Sequence, residues 1–277
     1  MTKTFQAHYL TIDGALTFVE EWGPAEGAVI LAIHTAGQSG VQYRESAPQL
    51  AQLGYRVIVP DFPGHGRSEP HAGGPVTNLG RYAEHCLKVL DLLEINEFAV
   101  VGCSIGGKIG LDIGIRSDGR VQAIVAMAAN ADNGFVNIRA MQRELNDIST
   151  PSRTDRTYWG TRAVVGASVD EERRELIAKM HCREDPSIST SDLIAWGNHD
   201  IFSDLPKISA PTLVVAGEDD LWINSDSVKR TANEIPKGHF HFLPGVGHYP
   251  MEEMPDFADF VHTWLSEQSA FGTGTGS

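Results

Sequence analysis

The chain runs EFAVVGCSIGG from Glu97 to Gly107. The first part of this stretch, Phe98 to Val101, is a short apolar and β-branched run that predicts a fully buried strand. The run enters Gly-x-Ser-x-Gly, and apolar residues then recur over a helix length from Ile109 to Ile115. A strand, a tight turn and a helix together form the setting in which a strained turn exposes a serine hydroxyl. The stretch therefore predicts a nucleophile elbow with Ser104 at its tip.

The five-residue match has a plain alternative, a glycine-rich turn with an idle serine, so the rest of the chain must supply partners for Ser104. The apolar run 211–216 predicts another buried strand, and Gly217-Glu218-Asp219-Asp220 follows it. A short strand over 239–242 leads into a glycine-flanked loop that contains His248. Serine, aspartate and histidine, each after a predicted strand, follow the chain order of a hydrolase triad.

Two further segments carry a resemblance to a known family. Residues 57–68, VIVPDFPGHGRS, are similar to a strand-and-loop segment that recurs in α/β-hydrolase-fold proteins. Residues 28–33, followed by His34-Thr35-Ala36-Gly37, resemble the oxyanion-loop segment of that family, with Thr35 where glycine is usual. From its first strands to about Leu265 the chain resembles this family. The resemblance implies an α/β fold, with a mostly parallel eight-stranded sheet flanked by helices.

The length of 277 residues suits one large domain with an insertion. Beyond Asn130 the apolar residues become sparse and helically spaced, which indicates a helical cap inserted between two strands of the sheet. We therefore expect the core to comprise 1–130 and 207–268, and the cap 131–206. The glycine- and threonine-rich end, 269–277, is expected to be a flexible tail.

The resemblance implies that His248 is the general base for Ser104 and that an aspartate orients the imidazole. It selects Asp220 over its neighbour Asp219, since the family places the acid three residues after the glycine at the strand end. We expect Asp219 to face solvent or to cap a helix that begins near Asn224 and Ser225. A third carboxylate, Asp132, ranks below both.

The resemblance also implies an oxyanion hole formed by the backbone N–H groups of Ala36 and Ile105. Candidate substrate contacts are one residue of the oxyanion loop and three aromatic residues of the cap: Thr35, Tyr158, Trp159 and Trp196.

The identity of the predicted nucleophile limits the class of reaction. Dehalogenases and epoxide hydrolases of this fold use aspartate at the elbow, so Ser104 disfavours both. The carbon–carbon bond hydrolases that resemble this family usually have tryptophan directly after the catalytic histidine, whereas Tyr249 follows His248. Hydrolysis of a carboxylic ester or lactone of a small to medium organic substrate remains the simplest prediction. Carbon–carbon bond hydrolysis, and a non-hydrolytic ligand-binding or lyase role, stay open as alternatives.

Composition limits the partners, the metal binding and the location that we expect for this chain. A net charge of −14 with no basic cluster argues against nucleic acid as a partner, and no apolar run is long enough to span a membrane. The three cysteines show no metal-ligand spacing, and His239 and His241 are expected to face solvent, not a metal. We expect a cytoplasmic enzyme that acts on a small molecule with no cofactor and no metal; the oligomeric state stays open.

Overall fold

Eight strands form one sheet in the computed structural model of the chain, which describes residues 5–117, 119–133, 138–146 and 153–268. The order across the sheet is β1-β2-β4-β3-β5-β6-β7-β8; β1–β2 and β2–β4 pair antiparallel, and all other neighbours pair parallel. The predicted tail lies outside the described residues. The strands are β1 (Gln6–Ile12), β2 (Ala15–Trp22), β3 (Val29–Ile33), β4 (Arg56–Pro60), β5 (Phe98–Cys103), β6 (Val121–Met127), β7 (Thr212–Gly217) and β8 (Gly238–Leu243).

Helices cover both faces of this sheet, as the buried apolar strands require. The helices are α1 (Ser46–Gln52), α2 (Leu79–Leu92), α3 (Ile105–Arg116), α4 (Ile138–Asn146), α5 (Arg153–Val164), α6 (Glu171–His181), α7 (Pro186–Asn198), α8 (Ser225–Glu234), α9 (Pro250–Glu253) and α10 (Phe257–Ser266). Along β3 and β5, successive side chains point to opposite faces. Leu31 and Val100 therefore pack under α2, α3 and α8, whereas Ile30 and Val101 pack under α1 and α10.

Local backbone geometry sets the bounds of two elements. β6 ends at Met127, because Ala128 takes a φ of 46° and turns the chain out of the sheet. α1 begins at Ser46, after a short 3₁₀ turn over Gly40–Tyr43. Pro48 lies in its first turn, where a missing N–H costs no helical hydrogen bond.

Four helices, α4 to α7, lie in the segment 131–206 between β6 and β7, which we call the insert. Side-chain caps define two of its helix starts. Asp170 accepts a hydrogen bond from the Arg173 N–H at α6, and Asp185 accepts one from the Ser187 N–H at α7. No helix among the described residues combines the length and apolar character needed to cross a membrane.

Candidate active site

Ser104 lies on a strained turn at the carboxyl end of β5. Its φ of 56° and ψ of −121° are rarely adopted by a residue with a side chain, and its N–H donates to the Met127 carbonyl at 2.9 Å. The flanking glycines make this turn possible. A Cβ on Gly102 would lie 2.3 Å from the Gly106 oxygen, and one on Gly106 would lie 2.5 Å from the Ile33 oxygen. The sequence therefore folds into a true elbow around Ser104.

His248 and Asp220 meet beside this turn. Nδ1 of His248 lies 2.8 Å from Oδ2 of Asp220, and both side chains are almost completely buried. Oδ1 of the same carboxylate accepts the N–H groups of Trp222 and Ile223 at 2.9 and 3.1 Å. A carboxylate oxygen accepts, so Nδ1 of His248 is the donor in this hydrogen bond and Nε2 lies on the other side of the ring, away from Asp220.

The neighbouring acid, Asp219, is half-buried and does not cap α8. Oδ2 of Asp219 accepts the N–H of Ala167 in the insert at 2.6 Å, and Asn224 caps α8. The predicted helix cap at Asp219 was therefore wrong, whereas its hydrogen bond to the insert lies at the exposed surface. The hydrogen bonds described for the Asp132 carboxylate run to Asn130 and to residues of α8, and none reaches His248.

A buried carboxylate on α9 holds the loop of His248 on both sides. Glu253 accepts the N–H of Gly247 at 2.6 Å and the N–H of Tyr249 at 2.9 Å. Burial raises the pKa of Glu253, although the backbone N–H groups work against this rise. The two hydrogen bonds bracket His248 and fix its backbone.

Two further groups hold the backbone of His248 itself. Its N–H donates to the Val164 carbonyl at the end of α5, at 2.9 Å, and its carbonyl accepts the Cys103 thiol at 3.0 Å. Burial raises the pKa of Cys103 well above its usual range, so this thiol is a packing and donor group beside Ser104.

The predicted oxyanion loop, residues 34–38, begins at a fully buried histidine. Nδ1 of His34 donates to the Thr35 carbonyl at 2.9 Å, and Nε2 accepts the Phe62 N–H at 3.1 Å. Burial, and then the nearby charge of His65, lower the pKa of His34 to about 4. The neutral ring therefore orients the backbone of this loop.

Both neighbours of Ala36 are tied through their N–H groups. The Thr35 N–H and hydroxyl both donate to Oε1 of Gln42, at 2.8 and 3.1 Å, so its side chain is engaged internally. The Gly37 N–H donates to Oδ2 of Asp192 in α7 at 2.8 Å. Within the described part of the chain, neither the N–H of Ala36 nor that of Ile105 has an acceptor.

The three aromatic residues predicted in the cap do not gather around His248. Tyr158 donates to Glu175 and packs edge-on against Trp159, whose side chain is 63% exposed. Trp196 is half-buried over Lys108. No contact described for these three rings involves the predicted triad.

A different aromatic residue lies against His248. The rings of Trp222 and His248 meet at 4.9 Å between centroids, and Trp222 is still 51% exposed. Gly160 of α5 lies opposite, since a Cβ there would be 3.6 Å from the Trp222 ring. Sequence reasoning missed Trp222. Its position two residues after Asp220 is the signal that could have found it.

Among the described residues, no group of three or more His, Cys, Asp or Glu side chains is arranged to hold a metal ion. Lys108, one turn after Ser104, is a buried cation that reaches into the same region. It donates to the carbonyls of Asp132 and Trp196, and burial lowers its pKa to about 8. Carbonyl acceptors on both sides give it a structural role between α3 and the insert.

Known proteins of one family resemble this chain. A model of the alpha/beta hydrolase family matches residues 29–259. The magnesium-chelatase 30 kDa subunit of Rhodobacter capsulatus is 28% identical over 261 residues, which cover 90% of each chain. The 2-hydroxymuconate semialdehyde hydrolase of Pseudomonas putida is 30% identical over 258 residues, which cover 88% of this chain and 89% of the relative.

Among solved structures, a thermophilic esterase from Thermogutta terrifontis superposes with a TM-score of 0.82. The superposition covers 94% of this chain and 98% of the esterase, at 20% sequence identity. At this identity the likeness supports the fold, and the chemistry has to be argued from the residues described above.

Proposed function

The chain belongs to the alpha/beta hydrolase family, and we propose that it is a serine hydrolase that cleaves a carboxylic ester or a lactone of a small to medium-sized organic molecule. The observation that carries this proposal is the 2.8 Å hydrogen bond between buried Asp220 and His248. Beside it, Ser104 lies on an elbow that only a strained backbone can form. Nucleophile, base and orienting acid are thus all supplied by described residues.

In the first half-reaction, the oxygen of Ser104 attacks the acyl carbon while Nε2 of His248 takes the hydroxyl proton. The carbonyl electron pair moves to the oxygen, and the N–H groups of Ala36 and Ile105 hold the resulting oxyanion. Oxyanion donors of this kind typically contribute about 10²–10³-fold each to kcat. Collapse of the tetrahedral adduct expels the alkoxide, which takes its proton from His248.

In the second half-reaction, water attacks the acyl group on Ser104, with His248 again as the base. Asp220 holds Nδ1–H throughout and stabilises the imidazolium that forms twice per cycle. No step needs a cofactor. We infer further that the insert is a cap, since its residues contact the loops that carry Gly37, Asp219 and His248.

Carbon–carbon bond hydrolysis on the same triad is the second candidate. It is favoured by the Pseudomonas putida relative, which is named a 2-hydroxymuconate semialdehyde hydrolase. Against it stands Tyr249, which takes the place of the tryptophan noted above and packs edge-on against His248 and His181. A ring-cleavage semialdehyde and a p-nitrophenyl ester, assayed side by side, separate the two reactions.

Ser104→Ala tests the proposal directly. We expect the wild-type protein to hydrolyse short p-nitrophenyl esters and to bind one fluorophosphonate per chain. The variant should fold normally and lose both properties, with kcat lowered by several orders of magnitude. Ester hydrolysis within tenfold of wild type in Ser104→Ala would rule out the covalent mechanism. Ligand binding without labelling of wild type would favour a non-hydrolytic member of the fold.

A further inference from the structure

The N–H of Ala36 is held from both sides. Oε1 of Gln42 accepts the preceding N–H, that of Thr35, and Oδ2 of Asp192 accepts the following one, that of Gly37, each at 2.8 Å. Peptide units are planar, so fixing the two neighbouring units leaves little freedom for the unit between them. The direction of the Ala36 N–H is thus set by two side chains that sequence reasoning did not select.

Asp192 belongs to a buried cluster and not to the surface of α7. Its side chain is fully buried; Oδ2 also contacts Nε2 of His65 at 2.8 Å, and Oδ1 accepts the Tyr82 hydroxyl at 2.7 Å. Burial alone would lower the pKa of His65, but the charge and hydrogen bond of Asp192 outweigh it and the pKa is raised. A buried carboxylate with every oxygen bonded is held in one place.

The oxyanion loop also packs directly against the insert. Gly37 has a φ of 69°, and a Cβ there would lie 2.5 Å from Oε2 of Glu184 and 2.7 Å from Cβ of Ser189. Only glycine can take this conformation in this space without displacing the insert. The Gly37 N–H therefore meets Asp192 at a tight contact between core and insert.

The Gln42 side of the loop reaches the insert as well. Nε2 of Gln42 donates to Glu252 at 3.1 Å, and the same carboxylate oxygen contacts Nε2 of His181 in α6 at 2.6 Å. Arg44 donates to the other oxygen of Glu252 at 2.7 Å. Nε2 of Gln38 in the loop also donates directly to the His181 carbonyl of α6, at 3.2 Å. Thus both α6 and α7 contact the loop, and Asp192 of α7 is the insert residue that accepts the backbone N–H next to Ala36.

We propose that Asp192 is a positioning residue of the oxyanion hole, which holds the Ala36 N–H toward the reacting carbonyl through its bond to Gly37. The insert then supplies part of the catalytic geometry in addition to any role as a cover. This inference rests on the proposed function, because it assigns a partner to an N–H that matters only if an oxyanion forms. Asp192 touches no reacting atom.

Asp192→Ala tests the proposal by separating transition-state stabilisation from substrate binding. The probes are p-nitrophenyl butyrate and an alkyl trifluoromethyl ketone. The oxygen of Ser104 adds to the ketone carbon, its proton goes to His248, and the carbonyl pair becomes an oxyanion in the hole. We expect kcat and affinity for the ketone each to fall about 10- to 100-fold, as misplacement of one donor implies, and KM to change less than about threefold.

Two controls distinguish positioning from general damage. Asp192→Asn keeps an oxygen acceptor for the Gly37 N–H, and we expect it to recover most of kcat and of the ketone affinity. Tyr82→Phe removes an equally buried hydrogen bond to the other oxygen of Asp192 but keeps the bond from the Gly37 N–H to Oδ2, so kcat should fall much less than in Asp192→Ala. Loss of kcat in Tyr82→Phe equal to that in Asp192→Ala would overturn the inference.

A double variant, His65→Leu with Asp192→Leu, covers the case in which Asp192→Ala fails to fold because it leaves His65 unpaired. Replacing a buried ion pair by apolar residues of similar volume is often neutral or stabilising. The loss of kcat and of ketone affinity should persist in the double variant although its Tm recovers. Recovery of kcat together with Tm would overturn the inference. If Ser104→Ala loses activity while Asp192→Ala and the double variant keep wild-type kcat and ketone affinity, the inference on Asp192 fails and the proposed function stands. If Ser104→Ala stays active, the proposed function and the inference on Asp192 both fail.

Discussion

Two adjacent aspartates contact different partners: Asp220 binds His248, and Asp219 binds the insert. Asp220 gives one oxygen to His248 and the other to the backbone of its own loop. Asp219 points away and accepts the Ala167 N–H. Because the two side chains contact different partners, one loop serves both without bringing two negative charges to one imidazole.

The pair makes a prediction with opposite outcomes for the two positions. Asp220→Asn should lower kcat by several orders of magnitude, because an amide can stabilise the wrong tautomer of His248. Asp219→Ala should leave kcat within a few-fold and lower the free energy of unfolding by about 1 kcal/mol, the usual cost of one lost hydrogen bond. Steady-state kinetics and urea unfolding of both variants provide the measurement. A larger kcat loss in Asp219→Ala would move the orienting role to Asp219.

At the scale of an element, the loop 218–224 between β7 and α8 concentrates three functions in seven residues. It carries the acid, the contact to the insert and Trp222, whose ring lies against His248. The Asp220 carboxylate accepts two N–H groups of this same loop, which fixes Trp222 relative to His248. Half of the ring stays exposed, so it presents an apolar surface beside the base.

Trp222→Ala should therefore change substrate preference. We expect KM for long-chain p-nitrophenyl esters to rise about 10-fold, the order expected from losing part of an aromatic contact, while KM for the acetate ester changes little. Leu221→Ala is the matched control, because Leu221 is the neighbouring residue and is 73% exposed. Equal effects of the two substitutions over a series of chain lengths would remove Trp222 as a specificity residue.

At the scale of the whole molecule, buried neutral histidines link stability to pH. Burial lowers the pKa of both His34 and His85 to about 4, from 6.5. Between these values the unfolded chain binds protons that the folded chain does not, so stability is lost as pH falls from about 6.5 towards 4. His65 has the opposite effect, because its pKa is raised above 6.5 in the folded chain. The stability that protonated His65 contributes is therefore lost as pH rises above 6.5.

We expect each of His34 and His85 to destabilise the fold by at most about 2 kcal/mol at pH near 5, relative to neutral pH. His85→Gln should flatten this part of the profile, since glutamine does not titrate. Urea unfolding at several pH values measures the slope. His239→Gln, at an exposed position, serves as the control and should leave it unchanged. An identical slope in His85→Gln and wild type would show that other groups set the acid limb.

Features that depend on neighbouring residues could be predicted from the sequence, whereas contacts between distant segments could not. Ser104 and its turn were predictable because an apolar strand and two glycines lie within a few residues of it. Asp192 was not, because its partner Gly37 lies 155 residues away and the contact depends on how α7 packs. A buried aspartate in the middle of a helix resembles a surface residue in sequence. Only the tertiary structure shows which donors surround it.

The bonds between the insert and the loops that carry Gly37, Asp219 and His248 have a consequence for protein engineering. Chimeras that exchange this segment among family members are an obvious route to new substrate ranges. In this chain such a graft would remove the Val164 carbonyl, the Ala167 N–H and the Asp192 carboxylate at once, and with them a partner for each loop. A donor segment must therefore bring equivalent groups at these three positions, or the transplanted enzyme will change its selectivity at the expense of its rate.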